Sequence, residues 1–151
     1  MEIEETKEKI PLELLLLADP SEEMINEYIG NAITIAAKEK GGIVGVLVLI
    51  KTRPMTMEII NISVLEEYQN KGIGRKLIMA GIEYARREKY KIIEIGTGNP
   101  GVVQMLLYQK CGFRIVGVEL NYFRKNYKEI IIENGIECRD MIRMRLEFKE
   151  S

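Results

Sequence analysis

The chain has 151 residues, enough for one domain that buries about two-thirds of the surface its unfolded form exposes. Hydrophobic residues make up 46% and charged residues 30%, as in an ordinary globular protein, and a net charge of −1 excludes a general electrostatic attraction to nucleic acid. The sequence contains no histidine, which excludes Ser-His-Asp, Cys-His and His-Glu-x-x-His chemistry. Any catalytic acid or base must therefore be Glu, Asp, Tyr, Lys or Cys.

The start of the chain carries no targeting pattern. Met1 is followed by glutamates rather than by basic and then apolar residues, so we expect no signal peptide. The apolar runs are too short to span a bilayer. Cys111 and Cys138 each stand alone, without the spacing of a zinc site or a disulfide framework. We therefore expect a cytoplasmic protein without a metal site.

The predicted elements begin after a charged segment, residues 1–10, which we expect to be mobile or to form a short edge segment. Pro11 fits the first turn of a helix over residues 12–17, and a second amphipathic helix, capped at its start, is expected around residues 24–29. Period-two and β-branched patterns then predict three strands in a meander. These strands cover residues 32–37, 43–50 and 57–64.

The second half of the chain predicts alternating helices and strands. A long helix over about 74–88 leads to a short buried strand at 92–96, and a right-handed crossover should pair this strand in parallel with the strand at 57–64. Residues 121–128 are aromatic and basic without a clear period, and a turn is expected at 133–135. The remaining predicted elements are a helix from 102, a strand at 113–118 and a closing antiparallel strand at 139–148.

The segment between the third strand and the long helix is rich in glycine and positive charge. A helix N-terminus has backbone N–H groups without partners inside the helix, and its dipole favours an anion, most naturally a phosphate. Lys71, Arg75 and Lys76 add positive charge where an isolated helix would favour acids. The alternative is a simple glycine turn with solvated lysines. These residues alone do not identify a ligand.

Two motifs give the chain a resemblance to a known family. Gln69–Gly74 follows the pattern Gln/Arg-x-x-Gly-x-Gly/Ala, and Leu107–Phe113 reads Leu-Tyr-x-Lys-x-Gly-Phe at a helix end. With this order of elements, about residues 32–148 resemble the GNAT-type N-acetyltransferase superfamily. The resemblance implies an α+β fold in a single domain, residues 1–151. Its mixed, mostly antiparallel sheet would contain a central splayed parallel pair and be flanked by helices.

The resemblance also implies acetyl-CoA as a co-substrate, without a metal. The edge of the strand at Ile62, Ser63 and Val64 would pair with the pantetheine arm like an added strand. The family usually has an Asn seven residues before the helix-end Tyr, where this chain has Gly101. We expect Asn99 to make that contact from a longer loop, and the alternative is that the contact is missing. The implied diphosphate-binding residues are Gln69, Asn70, Lys71, Gly72, Ile73, Gly74 and Arg75.

Tyr108 matches the residue that the family uses as its catalytic acid. The resemblance implies that it protonates the departing sulfur and lies against the cofactor. The alternative is that Tyr108 only packs against its neighbours. Glu58 on the third predicted strand is the expected base, acting through water, unless it is a solvated strand residue. Glu94 is a lesser candidate. Cys111 is expected to be a packing residue, since the family transfers the acetyl group directly.

The implied acceptor is a primary amine of a small molecule or a peptide. Aromatic side chains of the early helices and of the segment 119–128 could line its site, namely Tyr28, Tyr122, Phe123 and Tyr127. Two alternatives remain: a ribosomal-protein-type N-terminal acetyltransferase, and a non-catalytic acyl-CoA sensor. We expect no nucleic-acid or membrane partner. The oligomeric state stays open, with a homodimer as one candidate.

Overall fold

The computed structural model describes residues 1–149, which form two compact units. The first unit, residues 1–93 and 148–149, contains an antiparallel sheet whose strands follow one another in chain order. Left-handed backbone at Lys40 and Gly41, with φ of 50° and 80°, makes the turn between the second and third strands. The strands are β1 (Glu2–Thr6), β2 (Ile33–Glu39), β3 (Gly42–Arg53) and β4 (Thr56–Val64).

Both faces of β3 are buried, because helices cover the sheet from two sides. Val46 and Val48 pack with the short helices α1 (Leu12–Leu15) and α2 (Glu22–Tyr28), which precede a 3₁₀ turn at Ile29–Asn31. Ser21 caps α2 by accepting a hydrogen bond from the Met24 N–H at 3.1 Å.

The long helix α3 (Ile73–Arg87) lies against the opposite face of β3. Gly81 of this helix lies so close to the sheet that a Cβ there would be 3.0 Å from Leu47. Its apolar positions recur at helical spacing, which explains why the pattern predicted it. The residues it buries are Ile73, Leu77, Ile78, Gly81, Ile82 and Ala85.

The second unit covers residues 94–147. It contains most of β5 (Ile92–Gly98) and the helix α4 (Val102–Lys110). The strand β6 (Arg114–Glu119) pairs antiparallel with the last strand, β9 (Met141–Glu147). Between them lie α5 (Tyr122–Asn126) and a hairpin of β7 (Ile131–Glu133) and β8 (Ile136–Cys138).

The predicted strands at 32–37, 43–50 and 57–64 and the helix at 74–88 are present with small shifts at their ends. The charged start forms the edge strand β1, so a fourth strand joins the predicted meander. Residues 121–128, for which no element was predicted, contain α5, and short strands flank the predicted turn at 133–135. The first helix is shorter than predicted and ends at Leu15. No helix within residues 1–149 is both long and apolar enough to cross a membrane.

Candidate functional site

The loop between β4 and α3 is held by its own backbone and by one side chain. Gln69 donates from Nε2 to the carbonyl oxygen of Val64 at 2.8 Å, which fastens the loop to the end of the strand. Asn70 and Gly72 have left-handed backbone, with φ of 62° and 81°, a conformation that favours Asn and Gly. The chain therefore turns sharply into the first residue of α3.

The N-terminus of α3 is strongly cationic. Its first turn contains no acidic residue, and Gly72 caps the helix without a side chain. Within residues 1–149, none of the cations Lys71, Arg75 and Lys76 forms an ion pair, although Lys71 lies 5.5 Å from the centre of the Tyr68 ring. Unpaired N–H groups, the helix dipole and three uncompensated cations together favour an anionic ligand here.

An open groove runs along the same end of α3, with a volume of about 610 Å³. Arg75 and Lys76 line it on one side, and the start of β1 contributes apolar side chains. The groove thus combines positive charge with apolar surface, which suits an anion attached to a larger organic group. Its lining residues are Met1, Ile3, Gly72, Arg75, Lys76, Met79 and Ala80.

Strand β4 carries a bulge that sets which side chains face α1 and α2. In the register with β3, Asn61 lies opposite Val48 and Ile59 opposite Leu49, so Ile60 has no partner. Residues directly opposite in an antiparallel pair share a face. Three polar side chains of β4 consequently lie on the face that α1 and α2 cover, namely Glu58, Asn61 and Ser63.

A buried hydrogen-bond network connects that face to the early helices. Asn61, only 2% exposed, donates to the Leu15 carbonyl and to the Tyr28 hydroxyl, both at 3.0 Å. The Tyr28 hydroxyl donates to Asp19 at 3.1 Å, and Ser63 donates to Asn61 at 2.7 Å. Because a carbonyl can only accept, the Leu15 contact fixes the orientation of the Asn61 amide.

In the second unit, the ring of Tyr108 is buried, with 5% of the residue exposed, and makes an edge contact with Phe113 at 6.5 Å between ring centres. Its hydroxyl forms no hydrogen bond within residues 1–149, where no fully buried side-chain oxygen or nitrogen lacks one. The hydroxyl oxygen therefore reaches the surface. Burial, with a smaller contribution from Cys111, raises the pKa of Tyr108 to about 12.

The loop after β5 is closed by Asn99. Its side chain donates to the Glu137 carbonyl at 3.1 Å and accepts from the N–H groups of Arg139 and Asp140 at 2.8 and 3.0 Å. The packing around Gly101 explains the departure from the family pattern, because a Cβ there would clash with Thr97 Oγ1. A larger residue at that position does not fit this loop.

Two other candidate groups of the second unit have structural partners. Arg145 binds the carboxylate of Glu94 at 2.8 Å, and the Glu94 side chain is 15% exposed. Cys138 is buried against Gly98, and burial raises its pKa to about 12, which keeps the thiol protonated. Among the described residues, no cluster of three or more acidic or cysteine side chains could hold a metal ion.

Comparison with known proteins identifies the family. Residues 5–113 match the model of the acetyltransferase (GNAT) family. The chain belongs to this family. It is 47% identical over 144 residues, 95% of this chain and 92% of the other, to a Bacillus subtilis protein named uncharacterized N-acetyltransferase YvbK.

Solved structures of other acetyltransferases share the fold over almost the whole chain. An IAA acetyltransferase from Bacillus cereus has a TM-score of 0.93 at 53% identity, covering 97% of this chain and 99% of that one. A GNAT acetyltransferase from Elizabethkingia anophelis with acetyl-CoA bound has a TM-score of 0.93 at 45% identity, covering 97% of both chains. The predicted family and its α+β fold, a mixed sheet flanked by helices, are confirmed.

A further relative has a named acceptor specificity. The relative is the N-alpha-acetyltransferase RimI of Mycobacterium tuberculosis. This chain is 32% identical to it over 102 residues, which cover 66% of this chain and 59% of RimI. The ribosomal-protein-S18-alanine N-acetyltransferase of Escherichia coli, at 18% identity and a TM-score of 0.74, shows likeness of fold alone.

The buried network of this acetyltransferase was not predicted from the sequence. Neither Asp19 nor Asn61 was among the predicted site residues. A signal was present, since Asn61 and Ser63 are polar residues at alternate positions within the apolar run from Ile59 to Val64. Their partners on α1 and α2 could not be read from the strand itself.

Proposed function

We propose that this acetyltransferase moves the acetyl group of acetyl-CoA directly to a primary amine of a small molecule or a peptide. The observation that carries the proposal is the cationic N-terminus of α3, whose three basic side chains have no carboxylate partner in the described part of the chain. A diphosphate would supply the missing negative charge. The bound acetyl-CoA and CoA of the related structures support this choice of ligand.

The cofactor would be held by main-chain groups more than by side chains. Residues 70–75 would direct their N–H groups at the diphosphate, with Lys71 and Arg75 adding charge, whereas the Gln69 N–H already donates to the Glu66 carbonyl at 3.1 Å. The Gln69 side chain, already bonded to Val64, would shape the loop instead of contacting the ligand. The backbone of Ile62, Ser63 and Val64 would pair with the pantetheine amides. Asn99 would act by holding the loop after β5, given its three hydrogen bonds within the protein.

The transfer requires a neutral amine. An alkyl amine has a pKa of ~10.4, so its deprotonation at pH 7 costs about 4–5 kcal/mol. Glu58, half-buried on β4, would take the proton through a water molecule. The amine nitrogen then attacks the thioester carbonyl carbon, the C–S bond breaks, and the sulfur leaves as a thiolate. The nitrogen loses its second proton to solvent as the amide forms.

Tyr108 would protonate that thiolate. With a pKa of about 12, the phenol remains protonated at every pH at which the enzyme is expected to work. Transfer to a thiolate of pKa ~8.5 would be uphill by about 5 kcal/mol if the sulfur were fully hydrated. A dry site raises the pKa of the thiolate as well, so that the real difference is smaller. Tyr108 suits the role of general acid, because its ring is buried and its hydroxyl is accessible.

A second candidate acceptor is the N-terminus of a protein, which the similarity to an N-alpha-acetyltransferase favours. An acceptor screen distinguishes the candidates by measuring the release of CoA thiol with small amines and with peptides of varied first residue. Release with an amine or a peptide supports transfer and identifies the acceptor class. Tight binding of acetyl-CoA without release for any amine would overturn the proposal in favour of a sensor.

A further inference from the structure

The surface of the second unit is unusually apolar. Among residues 1–149, fourteen large hydrophobic residues are exposed, and ten of them lie in residues 94–147. Exposed apolar residues are ordinary when scattered, but a concentration of this kind marks an interaction surface. Four of the ten lie on β6 or directly after it, namely Ile115, Val116, Val118 and Leu120.

Strand β6 is also the last strand of its sheet. It pairs with β9, and no described strand lies on its other side. Its outer N–H and C=O groups are therefore available to another strand. Natural proteins protect such edges with charges, prolines or a covering element, because an apolar edge invites association. Here the middle of the edge is apolar, and charged residues stand at its two ends, Arg114 and Glu119.

A bulge in β6 decides which of its side chains share a face. Val116 has no partner on β9, so the alternation of faces shifts by one residue at that point. Arg114 and Glu119 consequently lie on the same face, and Ile115 and Val118 lie together on the other. The partners on β9 that fix this assignment are Arg145 for Arg114, Met141 for Glu119, Met144 for Ile115 and Ile142 for Val118.

We propose that β6 is a dimer interface, where it pairs antiparallel with β6 of a second copy about a two-fold axis between Val116 and Gly117. Arg114 then lies opposite Glu119 of the second copy, and Ile115 lies opposite Val118, twice each by symmetry. Opposite residues must share a face, and the bulge satisfies this condition for both pairs. In a strand without the bulge, this register would place Arg114 and Glu119 on different faces.

The self-complementary order of β6 is what selects a second copy as the occupant. Each end of the strand supplies the charge opposite to the one it meets, and the apolar residues meet each other. A stable dimer buries about 800 Å² on each partner, more than one strand supplies. Exposed apolar residues of the β7–β8 region in the same unit add to the available surface, namely Ile130, Ile132 and Ile136.

Sedimentation analysis of the full chain over a range of concentrations tests the interface. We expect a species of twice the 17.4 kDa monomer mass. Val118→Lys, which puts two cations among the central apolar residues, should give a monomer. Val103→Lys is the matched control, because Val103 is 75% exposed in the same unit but lies on α4. A wild-type chain that stays monomeric, or a dimer that survives Val118→Lys, would overturn the proposal.

Charge exchange tests the register itself. Arg114→Glu alone and Glu119→Arg alone each place like charges opposite one another, and should weaken association on the order of tenfold. An equimolar mixture of the two variants should recover it, because each Glu then meets an Arg. Glu119 also binds Arg143 of its own chain at 2.9 Å, so circular dichroism first establishes that both variants fold. Folded variants that do not associate better when mixed would rule out this pairing.

Discussion

Replacement of Tyr108 by Phe separates chemistry from folding, because it removes only the hydroxyl. The buried ring and its edge contact with Phe113 remain. The hydroxyl has no hydrogen-bond partner in residues 1–149, so the free energy of unfolding should change by less than about 0.5 kcal/mol. Turnover should fall at least about tenfold, the low end for the loss of a general acid.

The assay is the release of CoA thiol with the best acceptor from the screen, with calorimetry for acetyl-CoA affinity. Affinity should be nearly unchanged, since the proposed role of the hydroxyl comes after binding. Tyr84→Phe is the matched control, because this tyrosine lies on α3 and has a raised pKa without a proposed role. Unchanged turnover in the Tyr108 variant, with equal affinity and stability, would remove Tyr108 from the mechanism.

The pH dependence gives an independent test of the same residue. A phenol whose pKa is raised to about 12 keeps its proton below that pH. Turnover should therefore rise as the amine loses its proton near pH ~10.4 and should show no fall from loss of the acid before about pH 12. A fall near pH ~10, where an ordinary tyrosine titrates, in the wild type but not in the Phe variant would contradict the assigned environment.

Three further changes test other parts of the structure. Arg75→Glu brings a negative charge to the start of α3 and should weaken acetyl-CoA binding about tenfold or more in calorimetry; equal affinity would exclude Arg75 from the diphosphate site. Tyr28→Phe removes two hydrogen bonds of the buried network, the one that Tyr28 donates to Asp19 and the one that it accepts from Asn61. It should lower the free energy of unfolding in urea by about 1–3 kcal/mol, whereas an unchanged midpoint would mean that the network contributes nothing. Gly101→Ala places a Cβ against Thr97 Oγ1 and should lower the free energy of unfolding by about 1–3 kcal/mol; wild-type stability would show that the loop relaxes freely.

The regular elements of the first unit were predictable because their patterns are local. β3 is apolar on both faces, and α3 repeats its apolar residues every three or four positions. β1 was harder to predict, since Glu2–Thr6 carries mostly charged and polar side chains. Its glutamates are accommodated by basic residues from elsewhere: Lys38 binds Glu4 at 3.3 Å, and Arg87 binds Glu5 at 2.8 Å. Such long-range partners leave no periodic signal in the sequence.

The local structure of the candidate site was predictable where it consists of a contiguous motif. The glycine turn before α3 and the helix end at Tyr108 both follow from short runs of residues. The network of Asp19, Tyr28 and Asn61 was not predictable, because its members are separated by up to 42 positions. They meet only when α1 and α2 fold onto β4. Gly101 was not predictable for a different reason: Thr97 is close to it in the sequence, but only the conformation of the loop brings the two residues together.

Calorimetric titration of the intact protein with acetyl-CoA tests the central claim most directly. The cationic start of α3 predicts saturable binding that weakens with added salt and with Arg75→Glu. An absence of heat and of measurable affinity for acetyl-CoA would contradict the assignment of the diphosphate site.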